Sequence, residues 1–186
     1  MFVIRELAIA GVFEIVPDKY GDARGFFSEV FRADALRANG IDVEWVQDNH
    51  AFSGEAGVLR GLHYQRPPAA QDKLVRVTRG GILDAVVDIR TGSPTFGNWL
   101  SLVVTAEKWN QIFVPKGFAH GYRTLAENTE VLYKASANYA PHLEGAIRFD
   151  DPAIGIDWQI GDSQPLLSQG DASASGLHDQ VTGFFH

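Results

Sequence analysis

What most constrains this chain is a close succession of short, alternating apolar and polar segments separated by glycine and proline, with little length left over for helix. The pattern predicts strands over Phe2–Glu6, Gly11–Pro17, Gly25–Phe31, Glu44–Ser53, Val58–Gln65, Lys73–Arg79, Gly81–Ile89, Trp99–Val104, Asn110–Val114, Ala119–Thr124 and Thr129–Ser136. Turn signals such as Arg79-Gly80-Gly81 and Thr91-Gly92-Ser93-Pro94 fall between them. One helical run, Ala33–Asn39, is followed by Gly40 in the position of a C-terminal stop, and a second short helix is expected around Asp151–Ile154. Many strands at this spacing indicate an all-β sandwich or barrel, with a jelly roll carrying a few short helices as the expected form.

No repeat, low-complexity tract or shift in composition divides the 186 residues, so a single domain over 1–186 is expected. The net charge of -7 argues against a protein held to nucleic acid by phosphate contacts. The absence of cysteine excludes disulfides, zinc–thiolate sites and thiol nucleophiles. The opening MFVIRELAIAG bears Arg5 and Glu6 and lacks the apolar run of a signal peptide. No segment approaches the roughly 18 apolar residues of a membrane helix. A cytoplasmic protein is the resulting expectation.

Function enters through polar residues that interrupt strand faces. Lys73 shares a face with Val75 and Val77, Asp84 with Val86 and Asp88, His120 with Tyr122, and Tyr133 with Val131 and Ala135. Singly, each has a plain structural explanation: an edge lysine, a core tyrosine with a satisfied hydroxyl, a structural histidine. Together they bring His, Lys, Asp and Tyr from separate strands to one barrel, the pattern of a ligand-binding interior. Arg60 and His63 differ by three positions and would point to opposite faces of a regular strand, so a bulge at Gly61 is expected to re-aim the chain. Arg76, opposite in parity to Lys73, is expected at the surface. A metal is not expected, because Gln65 and Gly61 flank His63 where a barrel metal motif needs a second histidine.

Several longer stretches carry a family resemblance. DARGFFSEVF (22–31), QDNHAFSGEAGVLRGLHYQRPP (47–68), QDKLVRVTRGGILDAVVDIRTGSPTFGNW (71–99), VPKGFAHGYRTL (114–125) and EVLYKASANYAPHLEGAIRFDDP (130–152) resemble the dTDP-4-dehydrorhamnose 3,5-epimerases, which are metal-free cupins. The resemblance covers about positions 1–171. It implies a cupin-like jelly roll, usually a homodimer that exchanges N-terminal strands, acting on dTDP-4-dehydro-6-deoxyglucose without redox cofactor or metal. It further implies that His63 is the base, Asp171 its paired carboxylate, Lys73 the cation beside the C4 oxygen and Tyr133 the acid on the opposite face. His120 and Arg60 resemble substrate contacts, Arg60 with the diphosphate. Arg24 and Glu29 resemble residues used on the nucleotide, Gln47 and Asn49 a pyrimidine-contacting pair, and Tyr139 the aromatic that stacks on the thymine or flanks the nucleotide.

This sequence departs from the family pattern at Gly170, where a lysine commonly precedes the aspartate, and at Phe149 and Gln159, where tryptophan and proline are common. The first removes a cation expected near the nucleotide phosphates; the other two read as packing variation. Two alternatives stay open: inversion of one centre, or a ketoisomerase, on a related dTDP-keto sugar; and a non-catalytic sugar-nucleotide-binding cupin.

Overall fold

The computed structural model describes residues 1–161 and 163–186. Its strands are β1 (Phe2–Glu6), β2 (Phe13–Pro17), β3 (Tyr20–Asp22), β4 (Gly25–Phe27), β5 (Gln47–Ser53), β6 (Leu59–Gln65), β7 (Lys73–Arg79), β8 (Gly81–Asp88), β9 (Trp99–Thr105), β10 (Gln111–Val114), β11 (Phe118–Thr124), β12 (Thr129–Ala135) and β13 (Glu144–Ala146). Two short α-helices accompany them, α1 (Ala33–Arg37) and α2 (Gln169–Ala172). One sheet has the order β1-β2-β10-β7-β12-β5 and the other β13-β6-β11-β8-β9, while β3 and β4 form a separate hairpin. This is the expected all-β, cupin-like jelly roll.

Strand parity explains the layering. One face of each sheet supplies the interior, where Val75 and Val77 of β7, Val131 of β12 and Ile112 and Val114 of β10 meet Ile82 and Val86 of β8 and Phe118 and Tyr122 of β11. The opposite residues of β7 and β10, Leu74 and Phe113, face outward and are covered by Leu36 of α1, Ile41 and the partly buried Phe31 and Trp45. A third cluster lies outside the second sheet, where Leu62, Leu83, Ala85, Val87 and Ala119 pack beneath Ile154, Trp158 and Leu177. The C-terminal third therefore closes over a β-sheet face that water would otherwise meet.

The predicted strands are present, several trimmed at their ends: 25–31 shortens to β4, and 44–53 begins only at Gln47. The helix expected around Asp151–Ile154 is a single turn instead. The amides of Ile154 and Gly155 both reach the Asp151 carbonyl, and Gly155 then adopts φ 71°, a left-handed conformation that ends the coil after one turn. Arg76 is not a free surface residue. It is half-buried in a groove with Glu29, Phe31 and Leu132, and burial pulls its guanidinium below its ordinary value.

Candidate active site

The bulge in β6 is the local event that builds the site. His120 of β11 pairs with His63, and Tyr122 pairs with Arg60, so between these pairs one residue of β11, Gly121, opposes two of β6, Gly61 and Leu62. Gly61 sits at the extra position with φ 115°, its Cα against Gly121 of β11; a Cβ there would lie 2.6 Å from Gly121 Cα. The result is that Arg60 and His63, of opposite parity, line the same cleft.

That cleft encloses about 480 Å³ between the two sheets. Arg60 and His63 come from β6, His120 and Tyr122 from β11, Lys73 from β7 and Tyr133 from β12. His63 and Tyr133 thus stand on different sheets with the cavity between them. Leu166, Leu167, Ser168 and Asp171 form one side wall. They reach it because Leu166 is tied beside the start of β6, its carbonyl accepting from the Leu59 amide at 2.9 Å and its amide donating to the Gly57 carbonyl at 3.0 Å.

Asp171 is oriented by the start of α2. Ser168 is the N-cap, accepting from the Asp171 amide at 3.1 Å and donating its hydroxyl to Asp171 Oδ2 at 2.8 Å. The other carboxylate oxygen, Oδ1, lies 2.6 Å from His63 Nε2, across 108 residues of sequence. Burial pushes the Asp171 carboxyl up, but His63, Ser168 and the Gly61 amide outweigh it and hold it below the usual carboxylate range. The carboxylate is therefore ionised at neutral pH and aimed at one imidazole nitrogen, leaving Nδ1 of His63 as the other.

The remaining groups are tuned by burial. Desolvation draws Lys73 down to about 8 against the opposing fields of Asp84 and Glu144. It pushes the Tyr133 phenol up against the pull of Arg60, and Tyr122 up to about 12. Both phenols are protonated at neutral pH. His120 Nε2 lies 2.8 Å from Asp84 Oδ2, and both side chains are buried.

A second lobe of about 310 Å³ shares His63, Lys73 and Tyr133 with the main cleft and continues past Gln47, Asn49, Tyr139 and Glu144. Gln47 Nε2 donates to Asn49 Oδ1 at 2.9 Å, and Gln47 Oε1 accepts the Tyr139 amide at 2.8 Å. Tyr139 donates its hydroxyl to Glu144 Oε2 at 2.8 Å and leaves its ring 56% exposed beside the lobe. Nine of the eleven predicted site residues are thereby gathered around one continuous opening. The other two are not: Arg24 sits on the β3–β4 hairpin paired with Asp22, and Glu29 lines the outer groove beside Arg76. Among the described residues no three His, Asp or Glu side chains converge as a metal site.

Sequence reasoning assigned no role to Tyr122, Ser168, Glu144 or the bond between Asp84 and His120. Two of these had a signal. Tyr122 shares strand parity with His120, and Ser168 with Asp171 makes the S-x-x-D spacing of a helix start. Glu144 had none, because β13 is three residues long and reaches the site only by pairing with β6.

Comparison with known proteins places the fold and site in context. Residues 6–179 match the family model described as dTDP-4-dehydrorhamnose 3,5-epimerase. The dTDP-4-dehydrorhamnose 3,5-epimerase of Sinorhizobium fredii is 46% identical over 180 residues, spanning 97% of this chain and 92% of that protein. A crystal structure of dTDP-6-deoxy-D-glucose-3,5-epimerase from Legionella pneumophila, in complex with dTDP-4-keto-L-rhamnose, superimposes with a TM-score of 0.91 at 42% identity, covering 96% of this chain and 94% of the other. A 3'-monoepimerase from Streptomyces bikiniensis, in complex with dTDP-quinovose, superimposes at 0.86 with 37% identity over 92% of this chain and 86% of its own. With a family model matched along nearly its whole length and relatives close to half identical, this chain belongs to the dTDP-4-dehydrorhamnose 3,5-epimerase family.

Proposed function

We propose that this protein is an isomerase that inverts C3 and C5 of dTDP-4-dehydro-6-deoxyglucose, giving dTDP-4-dehydrorhamnose for dTDP-rhamnose synthesis. Hydrogens on C3 and C5 flank the C4 ketone and are weakly acidic. Inversion needs a base on one face of the sugar ring, a stabiliser for the enolate oxygen and an acid on the other face. His63 is the base, through the nitrogen that Asp171 does not occupy. The ionised Asp171 stabilises the imidazolium that forms, as a carboxylate does in other histidine dyads. Lys73 lies beside the C4 oxygen and takes up the negative charge as it develops. Tyr133, protonated at neutral pH, returns a proton from the opposite face.

The observation that carries this reading is the placement of His63 and Tyr133 on different sheets across one cleft, with Lys73 lining it. A non-catalytic binding protein has no need of an acid and a base so opposed. Arg60 and His120 hold the sugar and its diphosphate, with Arg60 the one arginine among the residues lining the main cleft. The nucleotide extends into the second lobe, with Gln47 and Asn49 on the pyrimidine and Tyr139 stacked on it; stacking of a base on an aromatic is worth about 1–3 kcal/mol. Gly170 adds no cation to that wall, so the diphosphate relies on Arg60 and on groups outside the main cleft. Arg24 and Glu29 complete the nucleotide site from the second subunit of a homodimer in the cytoplasm.

Incubation with dTDP-4-dehydro-6-deoxyglucose in D₂O, followed by NMR, tests the reaction. Deuterium is expected at both C3 and C5. Uptake at C3 alone would replace this reading with single-centre epimerisation, the reading to which the structural likeness to a monoepimerase lends support. Uptake at neither carbon would overturn the enzymatic assignment.

A further inference from the structure

Behind His120 lies a buried carboxyl that the proposed reaction leaves unused. Asp84 of β8 is 0% exposed, and its Oδ2 is bonded to His120 Nε2 at 2.8 Å. Its other oxygen, Oδ1, is buried without a hydrogen-bond partner among the described residues. A buried carboxylate with an unsatisfied oxygen is expensive unless a cation acts on it. Burial pushes the Asp84 carboxyl up; His120, through its field and its hydrogen bond, and then Lys73, through its field, act against that rise. Lys73 in turn makes no hydrogen bond or ion-pair contact of its own among the described residues, so their attraction acts through space in a low-dielectric interior.

Resting on the epimerase reading, we propose that Asp84 is a positioning residue for the reaction, its carboxylate fixing His120 through Oδ2 while supplying the negative charge that keeps Lys73 an ammonium beside the enolate oxygen. With Asp84 ionised, as the proposal requires, Nε2 of His120 donates to Oδ2 and Nδ1 is left to accept from a substrate hydroxyl. Around Lys73 stand Arg60 and His63 on β6, His120 and Tyr122 on β11, Tyr133 on β12, Glu144 on β13 and Asp171 on α2. Of the two carboxylates in that ring, Asp171 is engaged by His63 and Ser168, and Glu144 by the Tyr139 hydroxyl. Asp84 differs from both in being wholly buried with one oxygen, Oδ1, left without a hydrogen-bond partner among the described residues. Burial already draws Lys73 down to about 8, close enough to working pH that losing one supporting charge changes its ionisation during turnover.

Asp84→Asn separates the two roles, since the amide oxygen still accepts from His120 Nε2 while the charge is gone. The alkaline limb of kcat is expected to move to lower pH by about one unit. The ratio of wild-type to variant kcat then stays near unity at pH 6 and approaches about tenfold above pH 8, with KM little altered. A variant profile parallel to wild type at every pH would overturn the proposal and leave Asp84 a purely structural group. Should the variant fail to fold, NMR of the wild-type protein decides. The Asp84 carboxyl ¹³C shift must follow the alkaline titration of the Lys73 ¹⁵Nζ, and that inflection must vanish in Lys73→Met. An Asp84 signal that stays flat through the Lys73 titration overturns the proposal. These signals do not depend on turnover, so absence of deuterium uptake by the wild type would remove the epimerase reading while the coupling stayed measurable.

Discussion

The extra residue in β6 turns on Gly61, whose left-handed backbone lies flat against Gly121. A Cβ at this point would come within 2.6 Å of Gly121 Cα and 2.7 Å of His120 O, and both obstacles are backbone. Gly61→Ala is therefore expected to destabilise the protein by about 2–4 kcal/mol in urea unfolding. Gly57, at φ 82° with nothing within 4 Å of an added methyl, is the control, and Gly57→Ala should lose only about 1–2 kcal/mol. Equal losses at the two positions would show that conformation, and not the approach to Gly121, is what matters. The opposed catalytic pair makes a second prediction at this scale. His63→Ala should abolish deuterium exchange into the keto sugar, whereas Tyr133→Phe should still exchange protons from the His63 face and accumulate little inverted product. Unchanged turnover in Tyr133→Phe would remove it as the acid. Strand parity made Lys73, His120 and Tyr133 legible as interior residues, because a two-residue period is a property of the local backbone. It also raised the conflict between Arg60 and His63, which only the bulge resolves.

Among the elements, β8 is held at its end by a carboxylate that the catalytic reading does not use. Asp88 accepts from Arg90 at 2.7 and 2.9 Å, from the Ser93 hydroxyl at 2.6 Å and from the Thr95 hydroxyl at 2.7 Å, pinning the turn that leads into β9. Burial would raise its pKa, but these donors outweigh it and draw the group down to about 2. Since the folded value lies below the unfolded one, Asp88 contributes stability above about pH 4 that is lost as pH falls towards 2. Asp88→Asn should accordingly lose on the order of 2 kcal/mol at pH 7, and the gap to wild type should close in acid. A gap that persists unchanged near pH 2 would mean that packing of the turn, and not the ionised carboxylate, supplies the stability. In sequence Asp88 shows only that it shares parity with Asp84. One aspartate bonds a histidine and the other pins a tight turn, a distinction that arises from what packs around each residue. The helix expected near Asp151 failed for a local reason that was legible in principle, the glycine four residues on.

At the scale of the molecule, β1 is an edge strand with Val3 63% exposed, and the β3–β4 hairpin carries Phe26 and Phe27 at 54% and 70% exposure. Such apolar surface on a hairpin that also bears Arg24, outside its own cleft, accords with the proposed homodimer. Sedimentation should give about twice the chain mass of 20.4 kDa. Subunit mixing provides the sharper check. If Arg24 serves the partner's cleft, Arg24→Ala and His63→Ala proteins, each nearly inactive, should regain about a quarter of wild-type activity when exchanged at equal amounts, because half the dimers then hold one intact site. No regain despite demonstrated exchange would keep Arg24 out of the partner's site.

The strands, their inward faces and hence the jelly roll follow from local sequence, since alternation and turn residues act over a few neighbouring positions. The tertiary structure alone decided which inward residues meet. Asp171 reaches His63 across 108 residues only because Leu166 is tied beside β6 and Ser168 caps the turn that aims it. Asp84 finds His120 only through the register of β8 against β11. Convergence of that kind depends on strand order, register and loop packing, quantities that no short stretch of sequence encodes.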